Sequence, residues 1–333
     1  MALPLLFMRC PRLRPRIFGV PLALLVAAAS APAQDYPARP VQLVVGLPAG
    51  GGADVVARAL AAAIGDRLGQ TVIVENRTGS GGLIAAESAA RAAPDGYTLL
   101  FGTVSYNAIF ASLYKKLPYD PVKDFAPVSM LATYPLVLVV AASSPHRTLP
   151  EFIAAARSAP GRLSYASAGN GTPLHLAMET LKTRAGLDIV HVPYRGGVQA
   201  TGDLLNGQIH VIFDTLPTQL ANIRAGKVRA LAITGAARSS LLPDVPTMAE
   251  AGMPDFGLGG WFALFAPSAT PRPVLARLHT AVSTALEVPA VRQRLLQLGA
   301  EPMASTPEEL ARFQRAEIVR WGQAVRESGA SLE

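Results

Sequence analysis

Short apolar runs alternate with helix-patterned stretches along almost the whole chain, and this alternation most limits what it can fold into. Strand-like runs are Val41–Val45, Thr71–Glu75, Tyr97–Gly102, Leu136–Ala141, Leu163–Ala166, Ile189–Val192, Ile209–Phe213, Ala230–Thr234 and Trp261–Ala266. The helical patterns between them have readable ends. Ala53–Leu68 stops at Gly69, which suits the left-handed residue that closes a helix. Thr148-Leu149-Pro150-Glu151 is a capping box ahead of Phe152–Ser158, and Thr172-Pro173 is an N-cap with a first-turn proline ahead of Leu174–Arg184. Short strands separated by helices of about 10–15 residues make βαβ units, so an α/β fold with parallel sheets covered on both faces is expected.

The first 33 residues read as an export leader. Arg9, Arg12, Arg14 and Arg16 make a positive start, Ile17–Ala29 is a short apolar stretch, and Ala31-Pro32-Ala33 is an A-x-A cleavage site. The stretch is too short for a spanning helix. A mature chain starting at Gln34 and located in the periplasm is expected. Cys10, the only cysteine, falls inside the leader, so the mature chain has no disulfide and no thiolate ligand. The leader carries four arginines and no acid, which leaves 26 basic against 23 acidic residues in place of the whole chain's +7. That mild, scattered balance contains no basic run and no aromatic ladder, so nucleic acid is not an expected partner. About 300 mature residues exceed one ordinary core, and two domains are expected.

Two glycine-rich corners carry the chemistry. Leu47-Pro48-Ala49-Gly50-Gly51-Gly52-Ala53-Asp54 joins a strand to a helix, and its glycines are expected to leave backbone N–H groups uncovered at the positive end of a helix dipole. Ser167-Ala168-Gly169-Asn170-Gly171-Thr172 repeats the arrangement in the other half, with two hydroxyls added. Two such corners facing one another could clamp one anion across a cleft. Arg195-Gly196-Gly197 precedes a third helical stretch, and Asp214 ends the Ile209–Phe213 strand, where open α/β sheets present ligand contacts. The plainer alternative is that each glycine only lets helix and strand pack closely.

Catalytic constellations are missing. Ser167 lacks the first glycine of a nucleophile elbow. His146, His175, His191, His210 and His279 show no metal-ligand spacing, and of these only His175, beside the second corner, is placed to matter. Gly50–Gly52 lacks the Lys-Ser/Thr of a P-loop. It approaches a dinucleotide fingerprint, with a strand ending in Glu75 downstream, but Val55 stands at the third glycine position. A cofactor-dependent exported enzyme is therefore the remote alternative, and no cofactor or metal is expected.

The order and spacing of several motifs resemble the Bug-type receptors, the solute-binding proteins of tripartite tricarboxylate transporters. They are Tyr36-Pro37-Ala38-Arg39-Pro40, Pro48–Asp54, Val74-Glu75-Asn76-Arg77, Pro94-Asp95-Gly96-Tyr97, Leu117-Pro118-Tyr119-Asp120-Pro121, Tyr165–Thr172, Val192-Pro193-Tyr194-Arg195-Gly196 and Leu242–Thr247. The resemblance covers nearly the whole mature chain. It implies a two-lobed periplasmic-binding-protein fold of the type II, Venus-flytrap kind, each lobe a sheet flanked by helices, with two crossing strands. The implied lobes are 34–135 plus 260–333 and 136–259, with crossings near Tyr134–Leu136 and Gly259–Trp261.

It also implies a small organic carboxylate held between the lobes, without a salt bridge, by Leu47–Asp54 and Ser164–Thr172. The candidate ligand residues are Leu47, Pro48, Ala49, Gly50, Gly51, Gly52, Asp54, Tyr106, Asn107, Ser167, Ala168, Gly169, Asn170, Gly171, Thr172, Arg195 and Asp214. The implied partners are the membrane subunits of a tripartite transporter, or the outer domain of a sensor kinase, with the receptor itself a monomer. The chain departs from the family pattern around the pocket wall. Leu47 stands where an aromatic is common, Tyr106-Asn107 replaces a Thr-His pair, Phe110-Ala111 replaces Asn-Pro, and Gly259-Gly260 precedes Trp261.

Overall fold

The computed structural model of the chain describes residues 36–194 and 197–330. The expected leader, its cleavage site and Arg195 lie outside the described residues. The strands are β1 (Val41–Val45), β2 (Val72–Asn76), β3 (Thr98–Thr103), β4 (Phe125–Ala141), β5 (Ser164–Ser167), β6 (Val190–Pro193), β7 (Val211–Thr215), β8 (Val228–Ile233), β9 (Gly259–Pro267) and β10 (Glu301–Pro302). The helices are α1 (Gly52–Leu68), α2 (Leu83–Ala90), α3 (Phe110–Leu113), α4 (Leu149–Ser158), α5 (Pro173–Ala185), α6 (Gly197–Leu205), α7 (Leu216–Arg224), α8 (Arg272–Glu287), α9 (Pro289–Gln297) and α10 (Pro307–Ser328).

Two sheets share one strand. In the first lobe β1 pairs in parallel with β2 and β3, and β3 pairs antiparallel with β9. The first part of β4 pairs with β9 as far as Pro135↔Gly259. From Leu136 onward β4 pairs instead with β7 and β8 of the second lobe, whose β5 lies parallel to β6 and β7. At the changeover, Leu136 donates its N–H to Thr234 Oγ1, and Thr234 N–H donates to the Leu136 carbonyl, both at 2.9 Å. β9 begins at Gly259, opposite Pro135 of β4.

Parallel sheets were expected throughout, and here the structure differs. The βαβ units are parallel, but β4 and β9 run antiparallel to their neighbours, because each enters a sheet from the opposite lobe. β4 is also much longer than the Leu136–Ala141 run: Pro127, Ser129 and Pro135 interrupt its apolar pattern, yet the strand continues through them, with bulges between Pro127 and Ser129 and between Met130 and Ala132. In α1, Val56, Leu60, Ile64 and Leu68 are buried in one row at helical spacing. Burial of each contributes about 1.5–3 kcal/mol. Gly69 closes the helix with φ 74°. The result fixes the direction of the turn that precedes it, Leu47–Gly51.

Candidate ligand-binding site

A cavity of about 500 Å³ lies between the lobes. Gly46, Leu47, Thr78–Gly81 and Tyr114 line it from the first lobe, and Ala168, Gly169, Asn170 and Tyr194 from the second. Of the candidate residues, Leu47, Ala168, Gly169 and Asn170 meet at this cavity. A larger cavity, about 730 Å³, opens on the hinge beside Tyr134, Pro135, Gly259 and Trp261. It contains neither glycine-rich corner.

The first corner is built inward rather than left uncovered. Gly50, with φ +79°, donates its N–H to Asp54 Oδ2 at 2.9 Å, and Gly51 N–H reaches the Pro48 carbonyl at 3.3 Å. Gly52 N–H crosses to the second lobe and donates to Thr218 Oγ1 at 3.0 Å. Pro48 is half-buried, and Ala49 and Gly50 are exposed at the tip. Asp54 is the organiser. Its buried carboxylate also pairs with Arg58 at 2.9 Å and accepts from Asn76 Nδ2, which donates as well to the Leu47 carbonyl. Burial pushes this carboxyl up, but the bonds from Arg58, Gly50 and Asn76 outweigh it and hold it below the usual range. The glycine N–H groups expected to await an anion are thus engaged within the protein in this state.

The second corner follows β5. Gly169 and Gly171 adopt φ +120° and +72°, a region that side chains resist. Ser167 Oγ accepts Gly169 N–H at 3.2 Å, and Thr172 Oγ1 donates to the Gly169 carbonyl at 2.8 Å. Gly171 N–H donates to His175 Nδ1 at 3.2 Å, while Thr172 caps α5 as its sequence suggests. Ser167 and Thr172 are buried beneath the loop, so they shape it from below.

The remaining candidates sit further off. Tyr106 is fully buried in the first lobe, its hydroxyl donating to the Phe101 carbonyl and its ring lying against Gly46 and Gly82. Asn107 is buried too; its Oδ1 accepts Thr103 N–H at 3.2 Å, and its carbonyl accepts from Gln314. Both sit on the α10 side of the first lobe, a placement that the missing Thr-His pattern did not reveal. Asp214 lies buried under α7, accepting from Thr215 N–H at 2.7 Å and Gln219 Nε2 at 2.8 Å. Desolvation pushes its carboxyl up to about 6.

Sequence reasoning missed the Thr78–Gly81 wall, Tyr114 and Tyr194. Its signal was present: Gly79-Ser80-Gly81-Gly82 is another glycine-rich turn between a strand and a helix. Ser80 there holds φ +44°, an uncommon conformation for a residue with a side chain. Thr215 and Thr218, on the far side of Gly52, were also missed, although Thr215-Leu216-Pro217 has the form of a cap.

Two lobes, a shared strand and a cavity between glycine-rich corners define a solute receptor of the periplasmic-binding-protein kind. Residues 56–330 match the tripartite tricarboxylate transporter family receptor, and the chain belongs to that family. The family consists of solute receptors rather than enzymes. The protein BugT of Bordetella pertussis is 40% identical over 318 residues, covering 95% of this chain and 98% of the relative. Among solved structures, an R. palustris protein with adipate is 37% identical with TM-score 0.87, covering 90% of this chain and all of that one. MatC from Rhodopseudomonas palustris with bound malate is 38% identical with TM-score 0.82, covering 87% of this chain and all of that one. No helix among the described residues is long and apolar enough to cross a membrane.

Proposed function

We propose that the protein captures a small carboxylate-bearing solute in the 500 Å³ cavity and delivers it to membrane subunits of a tripartite transporter. One observation carries the reading: glycine-rich corners from both lobes border the same cavity, alongside hydroxyl groups of Thr78, Ser80 and Tyr114. Adipate and malate, the ligands of two neighbours, are of the same chemical class. Hydroxyl-bearing residues and glycines along the described lining suit a carboxylate held through hydroxyls, backbone and bridging waters. We assign the direct contacts to Leu47, Ala168, Gly169 and Asn170. Asp54, Ser167, Gly171 and Thr172 hold the two corners in shape.

The lobes divide as 34–135 plus 260–333 against 136–259, with the hinge at Leu136 and Gly259. The exported chain works in the periplasm. A thermal-shift series with mono-, di- and tricarboxylates and aromatic acids tests the reading. A cognate acid at 100 times its Kd stabilises the folded form by about 2.7 kcal/mol. A protein stabilised by sugars or amines, and by no carboxylate, would refute it.

A further inference from the structure

Three rings stack directly beneath the second corner. Tyr165 on β5 faces His191 on β6 with 4.7 Å between centres, and His191 faces His175 on α5 at 4.3 Å. Both imidazoles reach up into the loop. A ring nitrogen of His191, Nε2, lies 2.8 Å from Ser167 Oγ, the same atom that accepts Gly169 N–H. His175 Nδ1 accepts Gly171 N–H at 3.2 Å. Gly171 in turn packs against Leu113 of the first lobe so closely that no side chain fits between them. His175 therefore anchors the point where the second corner touches the opposite lobe.

Accepting that bond requires a bare Nδ1, which places the imidazole proton on Nε2. We propose that neutral His175 is a positioning residue that latches Gly171 and the ligand corner, and that its protonation unlatches them and weakens carboxylate binding. The proposal rests on the cavity being the ligand site. A protonated His175 would aim Nδ1–H at Gly171 N–H, donor against donor.

The groups packed around the pair set its direction. Glu179 on α5 favours a cation, but it is already bonded to Lys182 Nζ at 2.8 Å and to the Tyr165 hydroxyl. Lys182, the neighbouring His191 and the positive N-terminus of α5 oppose one. Burial is the largest cause for both histidines, lowering His191 to about 4 and His175 below the ordinary imidazole range. The released loop, with an ordinary imidazole near 6.5, binds the proton better than the latched one. The latch is thus complete above about pH 6.5 and weakens by up to roughly tenfold per pH unit below it.

Hydrogen exchange at Gly171, measured by NMR on the unliganded protein, reads the latch without any ligand. Its protection factor is expected to fall from pH 7.5 to pH 5.0, by up to about thirtyfold. His175→Asn keeps an acceptor near Nδ1 and cannot titrate in this range, so its protection should match the parent at pH 7.5 and stay there at pH 5.0. His175→Leu should be poorly protected at both. Calorimetry with adipate as the probe should give the same order of affinities, the parent losing more affinity than His175→Asn on acidification. Unchanged Gly171 protection in the parent overturns the latch whatever the variants do, as does an Asn variant that loses protection in parallel. Adipate that fails to bind at any pH counts against the carboxylate reading for that acid, while the amide profile still decides the latch.

Discussion

Gly52 in the first lobe donates its N–H to Thr218 Oγ1 in the second at 3.0 Å, so the N-termini of α1 and α7 meet across the cleft. Only a glycine permits this approach. A β-carbon on residue 52 would stand 2.6 Å from Thr215 Oγ1, 3.0 Å from Thr218 Oγ1 and 3.2 Å from Pro217 Cβ. Thr215 cannot turn aside cheaply, because its hydroxyl caps α7.

Gly52→Ala is therefore expected to oppose the closed arrangement. Overpacking of this kind costs about 1–3 kcal/mol, which lowers ligand affinity by roughly 5- to 150-fold. Small-angle scattering provides the check. The parent should keep a compact radius of gyration with saturating carboxylate, and the variant should remain larger at the same concentration. Equal radii and equal affinities would show that the Gly52–Thr218 contact does not limit closure.

Substitutions in the two corners should rank by backbone as well as by contact. Gly169→Val places a β-branched residue at φ +120° on the cavity wall, and should cost most in binding. Gly51 has φ −77°, so Gly51→Val meets no such strain and only crowds the Pro48 carbonyl at 3.3 Å. Thr172→Val loses the α5 cap and the bond to the Gly169 carbonyl, about 1–2 kcal/mol. Calorimetry on folded variants reads the order, and a Gly169→Val protein with parental affinity would remove that residue from the site.

The buried carboxyl of Asp214 gives a pH signature. Its value near 6 lies above the unfolded one, so the folded protein takes up this proton before the unfolded chain does. Folding stability from this group is fully present below the unfolded value and is lost as pH rises through about 6. Asp214→Asn mimics the protonated form. Its melting temperature relative to the parent should be higher at pH 7.5 than at pH 4.5, and an offset independent of pH would contradict the assignment.

Maturation is expected between Ala33 and Gln34. The arginine-rich start, the apolar stretch and Ala31-Pro32-Ala33 motivate it. N-terminal sequencing of the protein recovered by osmotic shock should begin at Gln34. An uncleaved chain in the cytoplasm would refute the export reading.

The regular parts of the molecule were legible in the sequence because burial there follows simple periods. β1 coincides with Val41–Val45, and the Gly69 and Thr172 signals mark true helix ends. Thr148 also caps α4, but Glu151 returns its bond to Arg147 N–H rather than to the cap residue. Other strand ends moved by a residue or two, except that β4 begins at Phe125, eleven residues before the expected run. The antiparallel course of β4 and β9 was not legible, since direction within a sheet depends on which lobe the chain comes from. At the site, glycine runs located both corners but not the state of their N–H groups. That depends on Asp54, Thr218 and His175, partners whose proximity arises only in the fold.

The strand shared between the sheets, β4, has a consequence for how the protein comes apart. Its residues up to Pro135 complete one sheet and those from Leu136 complete the other, so neither core is whole without the same stretch of chain. Loss of order in one lobe strips an interior strand from its neighbour. The two lobes should therefore melt as one, and a calorimetric scan is expected to trace a single transition.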